Sequence, residues 1–365
     1  MRSIVYNKFS PELEHLWIEL EKRSYISVFQ TFRWNKSWYE TIAQNKNTQL
    51  VIVLILRKEE PVVIFPLILN KSFGVRIIGF IGGQQSDYLF PLLDSSLDID
   101  LNYAWSLVKQ SMPKHDLIYF EKYALFRNNA NMSFASLLNL KEYNISSSIT
   151  LPETFELFKS KLRSKLKADI NRQKRRLSKL GNLKFEIITD GDEFKKLVPE
   201  MISQKRKKYR ETNVPDPFIS QDVQDFYIKF IDSRSEELIP HYSVLKLDDK
   251  IIATHWGVIH KGRFYYLMPT YSEKHRIYSP GKILLYYLIE ESIVQQLEIF
   301  DFSIGGENYK REWCDNSLQI YYYLSSASVK GLLYMCILLI VNHARRNRYI
   351  WNFIRKMYRM IANDR

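Results

Sequence analysis

Cysteine is almost missing from this chain. Of 365 residues only Cys314 and Cys336 carry a thiol, which excludes a disulfide framework and points to a reducing compartment. Histidine is nearly as sparse, and none of the seven falls in a metal-ligand spacing such as H-E-x-x-H, so no metal is expected. The Walker pattern is absent as well: no glycine stands at the required place before Gly281-Lys282, and Ile283 sits where Ser or Thr would hold magnesium. The N-terminus, MRSIVYNKFSPELEHLW, lacks the apolar run of a signal peptide, so a cytoplasmic location is expected. The most apolar stretch, LLYMCILLIV at 332–341, is about half of what crosses a bilayer.

What the chain has in quantity is apolar surface and localised positive charge. A hydrophobic fraction of 46% and an aromatic fraction of 14%, without low-complexity tracts, predict a packed globular protein. Its length favours two domains. The net charge of +13 is concentrated: residues 160–180 hold nine Lys/Arg and one acid, and residues 343–365 hold seven and one. These are either two solvated helix faces or two devices for meeting an anionic ligand or surface.

Helices are predicted at 11–22, 29–44, 97–111, 192–210, 220–232 and 280–297, with one more running from 153 to 180 along the stripe Phe158, Leu162, Leu166, Ile170, Leu177. Strands are predicted at 50–56, 61–69, 75–81, 88–92, 116–121, 183–188, 241–247, 250–260, 262–268 and 298–304. An internal echo emerges: LVIVLILRKEEPVVIFPLIL and HYSVLKLDDKIIATHWGVI both read as strand, charged turn, strand, and each precedes a strand, a helix and another strand. Two copies of one α/β unit would produce it.

The chemistry concentrates in Tyr271–Trp313. Ser279 can cap the helix that starts at Pro280, and Gly281 permits close approach to its backbone. Such a terminus suits a phosphate, with Arg276 and Lys282 beside it. On the strand IFDFSI, alternation places Asp301 opposite Phe300 and Phe302, either as a base or as a satisfied structural acid. Gly305-Gly306 then turns the chain so that Tyr309 and Lys310 reach back over the strand end. Acyl transfer to an amine needs a base, an oxyanion partner and a proton for the leaving thiolate. Asp301, Lys310 with backbone N–H groups, and Tyr309 are the candidates in that order. From the first half, Asp87 and Tyr88 follow Gly82-Gly83 and can line a cleft, and His255 is a further candidate. In the tail, residues 344–361 place Ile350, Phe353, Ile354, Met357 and Ile361 on one side, which suits either an interfacial anchor or a capping helix.

Arg276-x-x-Ser279-x-Gly281 resembles the Arg/Gln-x-x-Gly-x-Gly/Ala phosphate signature of GNAT enzymes, with Ser for the first Gly. With S-V-F-Q-T-F-R-W-N-K-S-W, G-F-I-G-G-Q-Q-S-D-Y, the basic stretch 161–181, Y-S-P-G-K and F-D-F-S-I-G-G-E-N-Y-K-R-E-W, the chain resembles the CelD/BcsL group (BioF2-like acetyltransferases) over about 27–313. That group is related to Fem-type peptidyltransferases. The resemblance implies an α/β (α+β) fold of two tandem GNAT-like domains, each a mixed, mostly antiparallel sheet flanked by helices: 1–150, 151–330 with the donor site, and a hydrophobic then basic amphipathic tail at 331–365. It also implies acetyl-CoA or another acyl-CoA as co-substrate and an amino-sugar acceptor in a cell-envelope or exopolysaccharide precursor. Functional positions carried over are Ser279, Pro280, Gly281, Asp301, Gly305, Tyr309 and Lys310, with Arg172, Arg175 and Arg176 in the basic helix. Fem-type relatives use charged tRNA instead, which would give that helix a second meaning; a non-catalytic binding module is the third expectation. Peripheral membrane contact through 332–361 is expected, and nucleic acid only as tRNA.

Overall fold

The computed structural model describes residues 1–44, 48–126, 134–212 and 214–346. The first half contains β1 (Arg2–Tyr6), α1 (Pro11–Arg23), α2 (Phe32–Trp38), β2 (Gln49–Arg57), β3 (Glu60–Ser72), β4 (Val75–Phe80), β5 (Leu92–Leu93), α3 (Leu101–Ser111), β6 (Leu117–Ala124) and β7 (Lys141–Thr150). The second contains α4 (Phe155–Lys161), α5 (Ser164–Ser178), β8 (Leu183–Ile188), α6 (Gly191–Thr212), α7 (Gln221–Lys229), β9 (Leu238–Leu247), β10 (Lys250–His260), β11 (Arg263–Tyr271), α8 (Pro280–Val294), β12 (Ile299–Ile304), β13 (Asn316–Ser326) and α9 (Val329–Arg346).

All the described strands join one mixed sheet in the order β1-β2-β3-β4-β6-β13-β7-β12-β11-β10-β9-β8, with β5 beside β3. The echo in the sequence has a structural counterpart. Hairpins β2–β3 and β9–β10 are each followed by an antiparallel strand (β4, β11), a helix (α3, α8) and a strand parallel to the third (β6, β12). The last strand of each unit crosses over: β7 pairs with β12, β13 pairs with β6, and the two pair with each other in the middle. This exchange makes the two units one continuous sheet.

Neither exchanged strand is among the sequence expectations. Their sequences, KEYNISSSIT and NSLQIYYYLSS, are serine-rich and only half buried, so they lack the apolar alternation that marks a strand. The helix expected over 153–180 is two helices, because Leu162 and Arg163 take extended backbone between α4 and α5. The stripe survives the break: Phe158, Leu162, Leu166, Ile170 and Leu177 are all buried. Likewise 29–44 divides into a 3-10 turn at Val28–Gln30, α2, and a π turn at Tyr39–Ala43.

Two apolar layers sandwich the second unit's half of the sheet. On one face α6 and α7 pack through Phe194, Val198, Met201, Ile202 and Phe226 on Tyr242, Val244, Trp256 and Tyr265. On the other, α4, α5 and α8 pack on Phe264, Tyr266, Phe300 and Phe302.

Candidate functional site

Strands β11 and β12 pair only from Arg263↔Ile299 to Tyr265↔Asp301 and then diverge. Two irregularities accompany the split. Trp256 faces Met268 and Gly257 faces Tyr266, leaving Leu267 as an extra bulged residue in β11. On β12, Ser303 is left-handed at φ 58, and pairing with β7 is interrupted between Asp301 and Ile304. A cavity of about 400 Å³ lies beside the split, lined by Tyr266, Pro269, Tyr271, Leu285, Tyr309 and Trp313, with Arg276 and Ser279 to Lys282 at the start of α8.

Residue 279 differs from expectation. It occupies the N-cap position, but its side chain makes no capping hydrogen bond and its backbone is left-handed (φ 50, ψ 51). The conformation is one that glycine adopts freely, and Ser bears the steric cost. At Gly281 an added Cβ would lie 3.2 Å from Tyr271 Cδ1, so the bare backbone lets that ring pack closely. Pro280 has no N–H, and helix geometry leaves the Gly281 N–H without an intrahelical carbonyl, on a cavity wall to which Arg276 also contributes.

The positive charge extends outward from this point. Lys282 Nζ meets Asp169 Oδ2 at 2.7 Å, and Asp169 also holds Arg172. Lys282 and Arg172, together with Arg163 and Lys165, line a second groove of about 460 Å³. The other two arginines fall elsewhere. Arg175 borders a separate shallow groove, while Arg176 lies 4.7 Å over the Tyr278 ring and donates to the Ile277 carbonyl, fastening α5 to the segment before α8.

Asp301 is on the opposite face of β12 from the cavity and only 1% exposed. Arg263 Nη1 donates to its Oδ2 at 2.7 Å; Tyr88 OH and the Ser303 backbone N–H donate to Oδ1, each at 2.7 Å. Both oxygens are committed and the carboxylate is sealed, which speaks for the structural acid and against the base. Tyr88, 1% exposed, belongs to this network and does not line the cleft.

The turn after β12 carries the reactive candidates. Gly305 has φ 142, and any Cβ there would collide with the Glu307 carboxylate and Lys310 Nζ. Lys310 is 4% exposed; its ammonium donates to the Ile304 carbonyl at 3.2 Å and pairs with Glu307 at 2.9 Å. Tyr309 is partly open to the cavity, and burial with nearby Glu307 raises its phenol, keeping it protonated as a hydrogen-bond donor. Cys314 is inert, its thiol pushed up to about 12 by burial.

From the first unit, Asp87 reaches the end of β12. Its carboxylate accepts from the Ile304 backbone N–H and lies 3.9 Å from Lys122 Nζ. Burial raises its carboxyl, opposed by Lys122 and Lys310. Lys205 approaches from α6. It continues the inward stripe of Val198, Met201 and Ile202, and burial lowers its amine to about 8, partly countered by Glu307. Its place on that stripe, three and four residues after Ile202 and Met201, is the signal the sequence carries for it. His255 is removed from the cavity: it is fully buried, stacked 4.5 Å from Tyr266, and neither ring nitrogen has a hydrogen-bond partner.

Residues 164–311 match the acetyltransferase (GNAT) domain family. The fold is GNAT-like. No curated protein sequence matches the chain. Among solved structures, FemX superposes with a TM-score of 0.61 at 10% identity, covering 92% of this chain and all of that one. The C-terminal domain of a putative lysylphosphatidylglycerol synthetase from Agrobacterium fabrum gives 0.54 at 11% identity over 89% of this chain and 94% of its own. L-PGS from Bacillus licheniformis gives 0.53 at 13% identity over 89% and 96%. These likenesses are of fold.

Proposed function

We propose that this protein is an N-acyltransferase that passes an acyl group from acyl-CoA, acetyl-CoA being the simplest, to an amine on a sugar or similar cell-envelope or exopolysaccharide precursor. The observation that carries this reading is the cavity beside the split of β11 from β12, with the start of α8 at its mouth. A diphosphate fits the first turn of α8, where Arg276 and Lys282 add charge to the helix dipole. The thioester then lies along the split, near Tyr309.

The acceptor enters from the α6 side, where Asp87, Lys205 and Lys310 converge on the end of β12. Its nitrogen attacks the thioester carbonyl, the C–S bond breaks, and Tyr309 donates a proton to the thiolate. Lys310 offsets the oxyanion charge. Lys205, with its amine near 8, takes the proton from the acceptor, and Asp87 orients the amine. Asp301 holds Tyr88 and Arg263 behind the reacting centre. The resemblance of the sequence to the CelD/BcsL group supports this assignment.

A second reading rests on a specific feature. The groove of Arg163, Lys165, Arg172 and Lys282, which Asp169 and Glu312 also line, shares Lys282 with the donor cavity and keeps a net positive charge. An aminoacyl-tRNA donor, as in the Fem-type enzymes, would use it. Thiol release from acetyl-CoA in the presence of nucleotide-linked amino sugars tests the first reading, with Tyr309→Phe expected to slow turnover at least tenfold. Salt-sensitive binding of charged tRNA without thiol release would favour the second. Precursor binding with neither activity would leave a non-catalytic module.

A further inference from the structure

Helix α9 packs inward on β4, β6 and β13. Gly331 makes this possible, since a Cβ there would lie 1.8 Å from the Asp116 carbonyl oxygen. Lys330 Nζ donates to the Gly74 carbonyl at 2.8 Å, and the Tyr334 and Ser72 hydroxyls meet at 3.0 Å, so the β3–β4 turn is tied to the helix. The outward face is unusual. Val329, Leu332, Leu333, Ile337 and Ile340 are 77, 45, 64, 57 and 67% exposed. Their spacing is one straight helical stripe, and it is apolar where a surface helix is normally polar. The turn beside it presents Phe73, 92% exposed and held at φ 48.

Charge identifies the occupant. No acid occurs between 316 and 363, and residues 342–365 contain seven Lys/Arg against Asp364 alone. Four aromatic residues, Tyr349, Trp351, Phe353 and Tyr358, lie in the segment 347–365, which is outside the described residues. An apolar stripe followed by cationic and aromatic sequence matches the composition of segments that lie in the interface of an anionic bilayer. No helix among the described residues is long and apolar enough to cross a membrane.

We infer that the outward stripe of α9 with Phe73 is a docking surface for anionic phospholipid, which seats the protein on a membrane with α9 in the plane of the interface. This goes beyond the acyl-transfer reading and does not depend on it. A second copy of the chain is the competing occupant, and the test separates the two.

The full-length protein is floated with phosphatidylcholine vesicles containing or lacking about one third phosphatidylglycerol, and its mass is measured in solution. The double variant Leu333→Glu/Ile337→Glu alters only exposed side chains, with an unchanged melting temperature as its control. A second variant, Phe73→Ser, probes the turn separately. The inference expects a monomer that floats with anionic vesicles, at least tenfold weaker binding by the double variant, several-fold weaker binding by Phe73→Ser, and release at about 0.5 M salt. Absence of flotation at low salt would overturn it, as would unchanged binding by both variants. A dimer that the double variant converts to a monomer, without vesicle binding by either, would assign the stripe to the second copy.

Discussion

Acid should destabilise this protein between pH 7 and 5, above the range in which ordinary carboxylates titrate. Three buried histidines are responsible: burial lowers His241 from 6.5 to about 3 and His260 to about 4, and it holds His255 well below the ordinary range. The unfolded chain binds these protons near 6.5 and the folded one does not, so stability is present above pH 6.5 and is lost as pH falls toward the folded values. Between pH 7 and 5 His241 and His260 each remove about 2 kcal/mol, together about 4 kcal/mol, and His255 shifts stability in the same direction. Glu21 acts in the opposite direction. Its carboxyl is raised from 4.5 to about 7 by burial, so the folded state gains a proton over the same interval and recovers about 2 kcal/mol. The net is a loss of about 2 kcal/mol before His255 adds to it, against a typical total stability of ~5–15 kcal/mol. The assay is urea unfolding at pH 7, 6 and 5, comparing wild type with His241→Phe. Phenylalanine suits the site because the His241 ring already lies 4.9 Å from Phe264 and neither of its nitrogens has a hydrogen-bond partner. The variant should lose about 2 kcal/mol less over this range. Identical pH slopes for the two proteins would refute the reasoning.

Other consequences are more local. Ser279→Gly should raise stability by about 1 kcal/mol in urea unfolding by relieving the left-handed backbone at the start of α8, with donor binding retained. Asp301→Asn should cost about 3 kcal/mol because it leaves Arg263 buried without its counter-charge; normal stability would show that the network carries no load. If Lys205 takes the acceptor's proton, kcat/KM should rise with pH through about 8, and Lys205→Arg, which keeps charge but cannot release a proton, should abolish that rise while leaving donor affinity unchanged.

The legibility of the sequence followed the strength of its apolar patterning. LVIVLIL and KIIATHWGVI announce central strands because burial demands continuous apolar residues, and the repeated strand, charged turn, strand order exposed the duplication. The exchange of β7 and β13 was not legible, because pairing partners such as Thr150 with Ile299 and Leu117 with Ser326 are too far apart in sequence to leave a trace in local periodicity. At the site, Ser279, Pro280, Gly281 and Lys282 were singled out by helix-start chemistry, Arg276 by the resemblance to the phosphate signature, and Tyr309 by the glycine turn after β12; all six line one cavity. Alternation placed Asp301 opposite the aromatic face of β12. It could not show that Arg263 and Tyr88, one from each half, would consume both of its oxygens. Lys205 is one of seven Lys/Arg in 195–210, and its place on the apolar stripe of Val198, Met201 and Ile202 is the one sequence feature that sets it apart from the rest.

The measurement that bears most directly on the central claim is calorimetric titration of coenzyme A into the wild-type protein and into Gly281→Glu. The substitution puts a carboxylate at the first turn of α8, where the donor's phosphates are assigned, and Gly281→Ala, whose Cβ meets the same Tyr271 ring at 3.2 Å without adding charge, is the steric control and should bind more tightly than Gly281→Glu. Stoichiometric binding by the wild type, reduced at least tenfold in the variant, is the expected result. No binding by the wild type, or equal binding by both, would contradict the assignment of the donor to this cavity.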